Sequence, residues 1–149
     1  MSGIVPRAAV LAVVVRGGEV LLVCRKNPPN AGAWGFPGGR VEPGEALAVA
    51  VVRELREETG VEARFLRVFD AADSIALAPD GGLEHHYVLV AGLCRWVAGE
   101  PVAADDAAAA AWFPLEGLEY RPEPLIERVA GMARAAAAEM VAEAEAPAP

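Results

Sequence analysis

The chain has 149 residues, 54% of them hydrophobic and 23% charged, with a formal net charge of −8. That length suits one domain able to bury its own core. The acidity excludes a nonspecific nucleic-acid binder, which needs a basic surface, and no apolar run approaches the length of a membrane span.

The opening residues, Met1-Ser2-Gly3-Ile4-Val5-Pro6-Arg7, lack a basic segment followed by a cleavage site, so the expected location is the cytoplasm. Ala8 to Val15 and Glu19 to Arg25 read as two strands joined by the turn Arg16-Gly17-Gly18. Asn27 to Gly32, with Pro28-Pro29 inside it, reads as a loop, and Trp34-Gly35-Phe36-Pro37-Gly38-Gly39 as a short extended piece and a turn. Pro43-Gly44-Glu45 opens a helix that Gly60 closes.

Val61 to Leu77 contains strand material with Phe65, Val68 and Phe69 as core candidates, and Pro79-Asp80-Gly81-Gly82 is a turn. Tyr87 to Val97 is a strand, Gly99 to Ala107 a loop, and Ala109 to Phe113 a short strand stopped by Pro114. Pro124 to Val141 reads as an amphipathic helix that turns Leu125, Ile126, Val129, Met132 and Met140 toward the core. The expected organisation is one domain over residues 1–141 and a disordered acidic tail over 142–149. The fold class is α/β, a mixed central sheet between helices. Cys24 and Cys94 sit in apolar strand-like runs outside any metal-binding spacing and read as buried free thiols.

The chemistry concentrates between Gly39 and Val61. Glu54, Glu57 and Glu58 stand at i, i+3 and i+4 on a helix that turns about 100° per residue, so they share one face. Leu47, Ala48, Val51, Val52 and Leu55 cluster on another face, suited to packing. An acidic helix face is either solvated or gathered around a hard divalent cation, for which all-oxygen ligands are suited. A cation would also resolve a conflict, since an acidic protein repels a phosphate substrate.

The segment matches the pattern G-x5-E-x7-R-E-U-x-E-E-x-G-U, with U aliphatic, at every fixed position: Gly39, Glu45, Arg53, Glu54, Leu55, Glu57, Glu58, Gly60 and Val61. By that match the chain resembles the Nudix (MutT-like) hydrolases. The resemblance implies an α/β/α sandwich and an enzyme in which water splits a nucleoside diphosphate linked to another moiety. It implies Mg²⁺ or Mn²⁺ as cofactor, held by Glu54, Glu57, Glu58 and the backbone carbonyl of Gly38. Arg53 would orient the glutamates, Glu45 would join that network, and Gly38 and Gly39 would let the backbone approach metal and phosphates.

The proton acceptor is left open between a box glutamate and a later acid, of which Asp105 is nearest the family's position. Asp105 has a plain alternative as a loop or capping residue, and Asp106 stands beside it. Arg25 and Lys26 either reach substrate phosphate or base, or are solvated strand-end cations. Trp34, Tyr87 and Trp96 are stacking candidates for a base, with Trp34 the best placed and Trp96 better suited to the core. His85 and His86, adjacent on a strand, should point to opposite faces, one exposed and one buried.

The expected partner is a small-molecule nucleotide, with neither nucleic acid nor membrane, and a homodimer stays open. The run Trp34 to Gly39 and the trio Cys94-Arg95-Trp96 resemble ADP-ribose pyrophosphatases, which form AMP and ribose 5-phosphate. Leu77 stands where many of those enzymes carry proline, a departure from the pattern. The alternative is a nucleoside triphosphate diphosphatase that cleanses oxidised nucleotides. A third class, a non-catalytic nucleotide-sensing module, fits less well because the box is whole and no winged-helix segment accompanies it.

Overall fold

The computed structural model describes residues 3–145. Its centre is β1 (Arg7–Arg16), which turns back into β2 (Glu19–Arg25). Short strands β3 (Trp34–Gly35) and β4 (Gly38–Arg40) lead into helix α1 (Leu47–Thr59). Two long strands follow, β5 (Glu62–Leu77) and β6 (Leu83–Ala98), then β7 (Ala107–Pro114), a 3-10 turn at Leu118–Tyr120 and helix α2 (Val129–Glu145). The strands form one seven-stranded mixed sheet in the order β3-β2-β1-β6-β5, with β4 paired to β1 and β7 to β2. β1 runs parallel to β6, Arg7 opposite Tyr87 through Val15 opposite Arg95, and all other pairings are antiparallel.

β1 is apolar almost without interruption because both of its faces are buried. Val10, Ala12 and Val14 join Ala50, Val51 and Leu55 of α1 in one core cluster. Val13 and Val15 join Val129, Met132, Ala133 and Ala136 of α2 in the other. This is the expected α/β sandwich, one helix on each side of the sheet.

Several expectations shift by a turn or more. The packing stripe of α1 is Ala50, Val51 and Leu55, whereas Leu47 is 37% exposed. The helix is rolled so that Glu58 and Thr59 also go under, and the Thr59 hydroxyl donates to the Leu55 carbonyl at 2.7 Å. Gly60 closes α1 as expected, at φ 73° with its N–H on the Arg56 carbonyl. The second helix begins at Val129, not Pro124. Residues 124–126 are extended instead, because Trp34 donates to the Pro124 carbonyl at 2.8 Å and Ile126 donates back to Trp34 at 2.9 Å. Leu125 and Ile126 therefore reach the core from a strap, not from a helix.

The expected tail is corrected at its start: α2 continues through residues 142–145, and Glu139 and Glu143 both grip Arg67 of β5. Residues 146–149 lie outside the described residues. Cys94 is fully buried, and burial pushes its thiol up to about 12, while Cys24 is half-buried. His85 and His86 are both half-buried, so neither the exposed nor the buried member of that pair is found.

Leu55 is the side chain through which α1 enters the sheet, and it is wholly buried. Leu55→Ala should lower the unfolding free energy by about 3 kcal/mol in urea titrations, from lost burial and the cavity left behind. A loss below about 1 kcal/mol would mean that α1 is not anchored there.

Candidate active site

Arg53 is the hub of the acidic face. Its Nε donates to Glu45 Oε2 at 2.6 Å and its Nη2 to Glu45 Oε1 at 2.9 Å. Nη1 donates to Glu54 Oε1 at 2.9 Å and to Glu57 Oε2 at 3.2 Å, and Nη2 also reaches the Arg40 carbonyl at 3.1 Å. Such a planar fork can serve several carboxylates at once, which an ammonium cannot. Glu45 Oε1 accepts the Glu42 N–H as well, at 3.0 Å. The Arg53 fork, with help from that N–H, holds Glu45 down to about 2.

Glu54 and Glu58 lie on the other side of this balance. Burial raises Glu54 against the pull of Arg53. Glu58 is only 8% exposed, and it is pushed up to about 8, first by burial and then by Glu54. The Gly38 N–H and Arg25 draw it down, while Asp106 raises it further.

The glycines are placed by β4. Gly38 lies opposite Leu11 and Gly39 opposite Val10. A Cβ on Gly38 would stand 2.1 Å from the Val10 carbonyl oxygen, and one on Gly39 2.5 Å from Glu54 Oε1. At Gly38 only bare backbone fits against β1, whereas at Gly39 an added methyl would have to push the Glu54 carboxylate aside.

The loop between β6 and β7 closes the far end of α1. Val102 donates to the Thr59 carbonyl and Ala104 to the Glu58 carbonyl, both at 2.9 Å, which satisfies two carbonyls that a helix end leaves free. Asp105 sits in this loop at φ 52°, and its carbonyl receives Lys26 Nζ at 2.9 Å. The acid whose charge acts on Glu58 is Asp106, and its carboxylate takes Asn27 Nδ2 at 3.4 Å. Sequence reasoning singled out Asp105; adjacency gave no means of choosing between the two.

Three expected substrate residues are already engaged. Arg25 Nε donates to the Pro29 carbonyl at 2.8 Å, and the Lys26 backbone and side chain bind the Asp106 and Asp105 carbonyls. Arg25 and Lys26 thus brace the two loops beside Glu58. The Trp34 ring packs on Phe113, with centroids 4.9 Å apart, in the cluster under α2. The ring is half-buried against that cluster. Trp96 likewise packs against the α1-side core, and its Nε1 donates to the Gly99 carbonyl at 2.9 Å.

Glu54, Glu57 and Glu58 share the helix face, but their carboxylates do not converge. Among the described residues, no group of three or more His, Cys, Asp or Glu side chains is gathered tightly enough to hold a metal ion. Arg53 acts as counter-ion to Glu54 and Glu57, while Glu58 is turned into the protein. The donor chemistry fits a hard divalent ion: every candidate ligand is oxygen, and the charge of half-buried Glu54 acts unfavourably on buried Glu58.

A model of the Nudix domain family matches residues 5–135. The chain is a MutT-like member of the Nudix hydrolase family. An ADP-ribose pyrophosphatase of Methanocaldococcus jannaschii is 35% identical over 113 residues, which cover 76% of this chain and 64% of that protein. The match thus spans less than two thirds of that relative's length. A Mycobacterium tuberculosis protein provisionally named 8-oxo-dGTP diphosphatase 2 is 42% identical over 101 residues, 66% of this chain and 67% of that one. The crystal structure of a MutT Nudix hydrolase from Burkholderia pseudomallei superimposes with a TM-score of 0.74 at 34% identity, over 87% of this chain and 96% of that one. Nudix hydrolases generally use divalent metal ions.

Because Arg53 holds three carboxylates together, Arg53→Lys should lower folding stability by about 2 kcal/mol, read by urea titration of the metal-free protein. A point charge cannot replace the fork, and partly buried acceptors are left unmet. A change under about 0.5 kcal/mol would show that the network is only solvated surface.

Proposed function

We propose that this protein hydrolyses a pyrophosphate bond in a small nucleotide with Mg²⁺ or Mn²⁺ as cofactor, and that its preferred substrate is ADP-ribose. The reading rests on one observation above all. Arg53 gathers Glu45, Glu54 and Glu57, with Glu54 against the bare backbone of Gly39 and a buried Glu58 nearby.

Glu54, Glu57 and Glu58, with the carbonyl of Gly38, would hold the ion. When bound, a divalent ion screens the diphosphate and stabilises the charge that develops on the leaving phosphate oxygen. The chain's own residues do the rest. Arg53 orients Glu54 and Glu57 through its guanidinium donors. Gly38 and Gly39 leave room for the phosphates beside the helix. A water oxygen bonds to phosphorus as the bridging P–O bond breaks, giving AMP and ribose 5-phosphate from ADP-ribose. A carboxylate takes the water proton. Of the late-loop acids, Asp106 is the better candidate, since its charge already acts on Glu58 while Asp105 is held through its backbone. Arg25, next to Glu58, is the cation best supported for phosphate, with Lys26 bracing the loop behind it.

A second reading, nucleoside triphosphate diphosphatase, is favoured by the 42% identity to the mycobacterial relative and by Leu77 in place of proline.

Glu57→Gln and Glu58→Gln should each lower kcat about 100-fold, equivalent to roughly 3 kcal/mol of lost transition-state stabilisation, with the fold retained. EDTA should abolish wild-type turnover. Near-normal rates in both variants, or full rate without metal, would sink the metal-site assignment.

Substrate preference is decided outside the metal site, which treats any diphosphate alike. At equal Mg²⁺, with products identified by mass, ADP-ribose should give a higher kcat/KM than dGTP or 8-oxo-dGTP. A triphosphate ahead by about tenfold, with pyrophosphate released, would establish the second reading.

A further inference from the structure

A second charged cluster lies at the opposite end of the β6–β7 loop from Asp106. Arg16, the last residue of β1, donates to Glu100 through Nη1 at 2.8 Å and Nη2 at 3.5 Å. Its guanidinium lies 4.0 Å from the ring centre of Trp112 and 4.9 Å from that of Trp96. The Trp112 Nε1–H donates to the same Glu100 at 3.0 Å, and the Trp96 Nε1–H to the Gly99 carbonyl at 2.9 Å.

An isolated surface ion pair contributes little. This one is forked, stacked on two indoles and completed by an indole N–H, and those features reduce the freedom lost in making it. Its residues come from β1, β6, β7 and the loop. None belongs to the box.

The loop leaves this cluster and is fastened at once to α1. Gly99 stands at φ 91°, and a Cβ there would lie 3.3 Å from the Gly60 carbonyl at the helix cap. Val102 and Ala104 then donate to the Thr59 and Glu58 carbonyls, and Lys26 and Asn27 hold Asp105 and Asp106. The chain from Gly99 to Asp106 is therefore pinned at both ends. Its middle carries the two backbone donors that complete the helix turn bearing Glu58.

We propose that the Arg16–Glu100 pair is a positioning device for the active site. It docks the β6–β7 loop on the C-terminal turn of α1, and so sets Glu58 and Asp106 in register from outside the box. This rests on the hydrolase reading above, and it concerns how the chain holds its own ligands. Arg16, Glu100, Trp96 and Trp112 are positioning residues, since none touches the proposed ligands.

The test compares Arg16→Ala, Glu100→Gln and Trp112→Phe with wild type by three measurements. Amide hydrogen exchange at Val102 and Ala104 is followed in metal-free protein. Mn²⁺ affinity is measured by electron paramagnetic resonance. kcat and KM are measured on the best nucleotide. Arg16→Ala and Glu100→Gln should each speed exchange at both amides about tenfold, weaken Mn²⁺ about fivefold and lower kcat about tenfold, with KM within about twofold. The double variant should lose no more than either single one, because the two act through one device. Trp112→Phe keeps a ring under Arg16 and removes only the N–H, so it should fall between them and wild type.

Faster exchange with unchanged Mn²⁺ affinity and kcat would overturn the proposal, as would fully additive losses in the double variant. If wild type binds Mn²⁺ yet hydrolyses none of the nucleotides, the hydrolase reading fails separately. Exchange and Mn²⁺ affinity then still decide whether the clamp positions the ligands.

Discussion

The structure turns on how one helix face carries so much negative charge. Four glutamates, Glu45, Glu54, Glu57 and Glu58, crowd around α1, and three of them are satisfied by a single guanidinium. Like charges at helical spacing are unfavourable. Here the repulsion is divided: Arg53 takes the outer carboxylates, and burial holds Glu58 at about 8.

Everything else in the fold serves to hold that face against the sheet. β1 contributes twice. Its alternating valines anchor both helices, and its backbone supports the glycine strand β4. The glycines then sit so close to β1 and Glu54 that a single methyl group would collide with either. The β6–β7 loop supplies the missing hydrogen bonds at the end of α1, and it brings Asp106 toward Glu58 as it does so.

The family match is broader than the box. The family match spans residues 5–135, and the box within it offers the same diphosphate chemistry to any substrate. The strap over residues 124–126, the loop from Asn27 to Gly32 and the β5–β6 hairpin lie outside the box but within the matched residues. The relatives divide, one named for ADP-ribose and one for an oxidised triphosphate.

Local pattern determined much of this protein by itself. The apolar runs marked β1 and β2, Gly60 marked the end of α1, and the spacing of Glu54, Glu57 and Glu58 placed them on one face. These features depend on residues a few positions apart, so sequence carries them directly. Tertiary structure decided the rest. The strap displaced the start of α2 because Trp34 offered backbone partners to residues some ninety positions away. Trp34 is half-buried against Phe113, and the helix runs on past Val141 with Glu139 and Glu143 meeting Arg67 of β5. The loop docked on α1 sets the charge of Asp106 on Glu58 and holds Asp105 through its carbonyl. No local pattern contains those partners, since they are brought together only when the sheet forms.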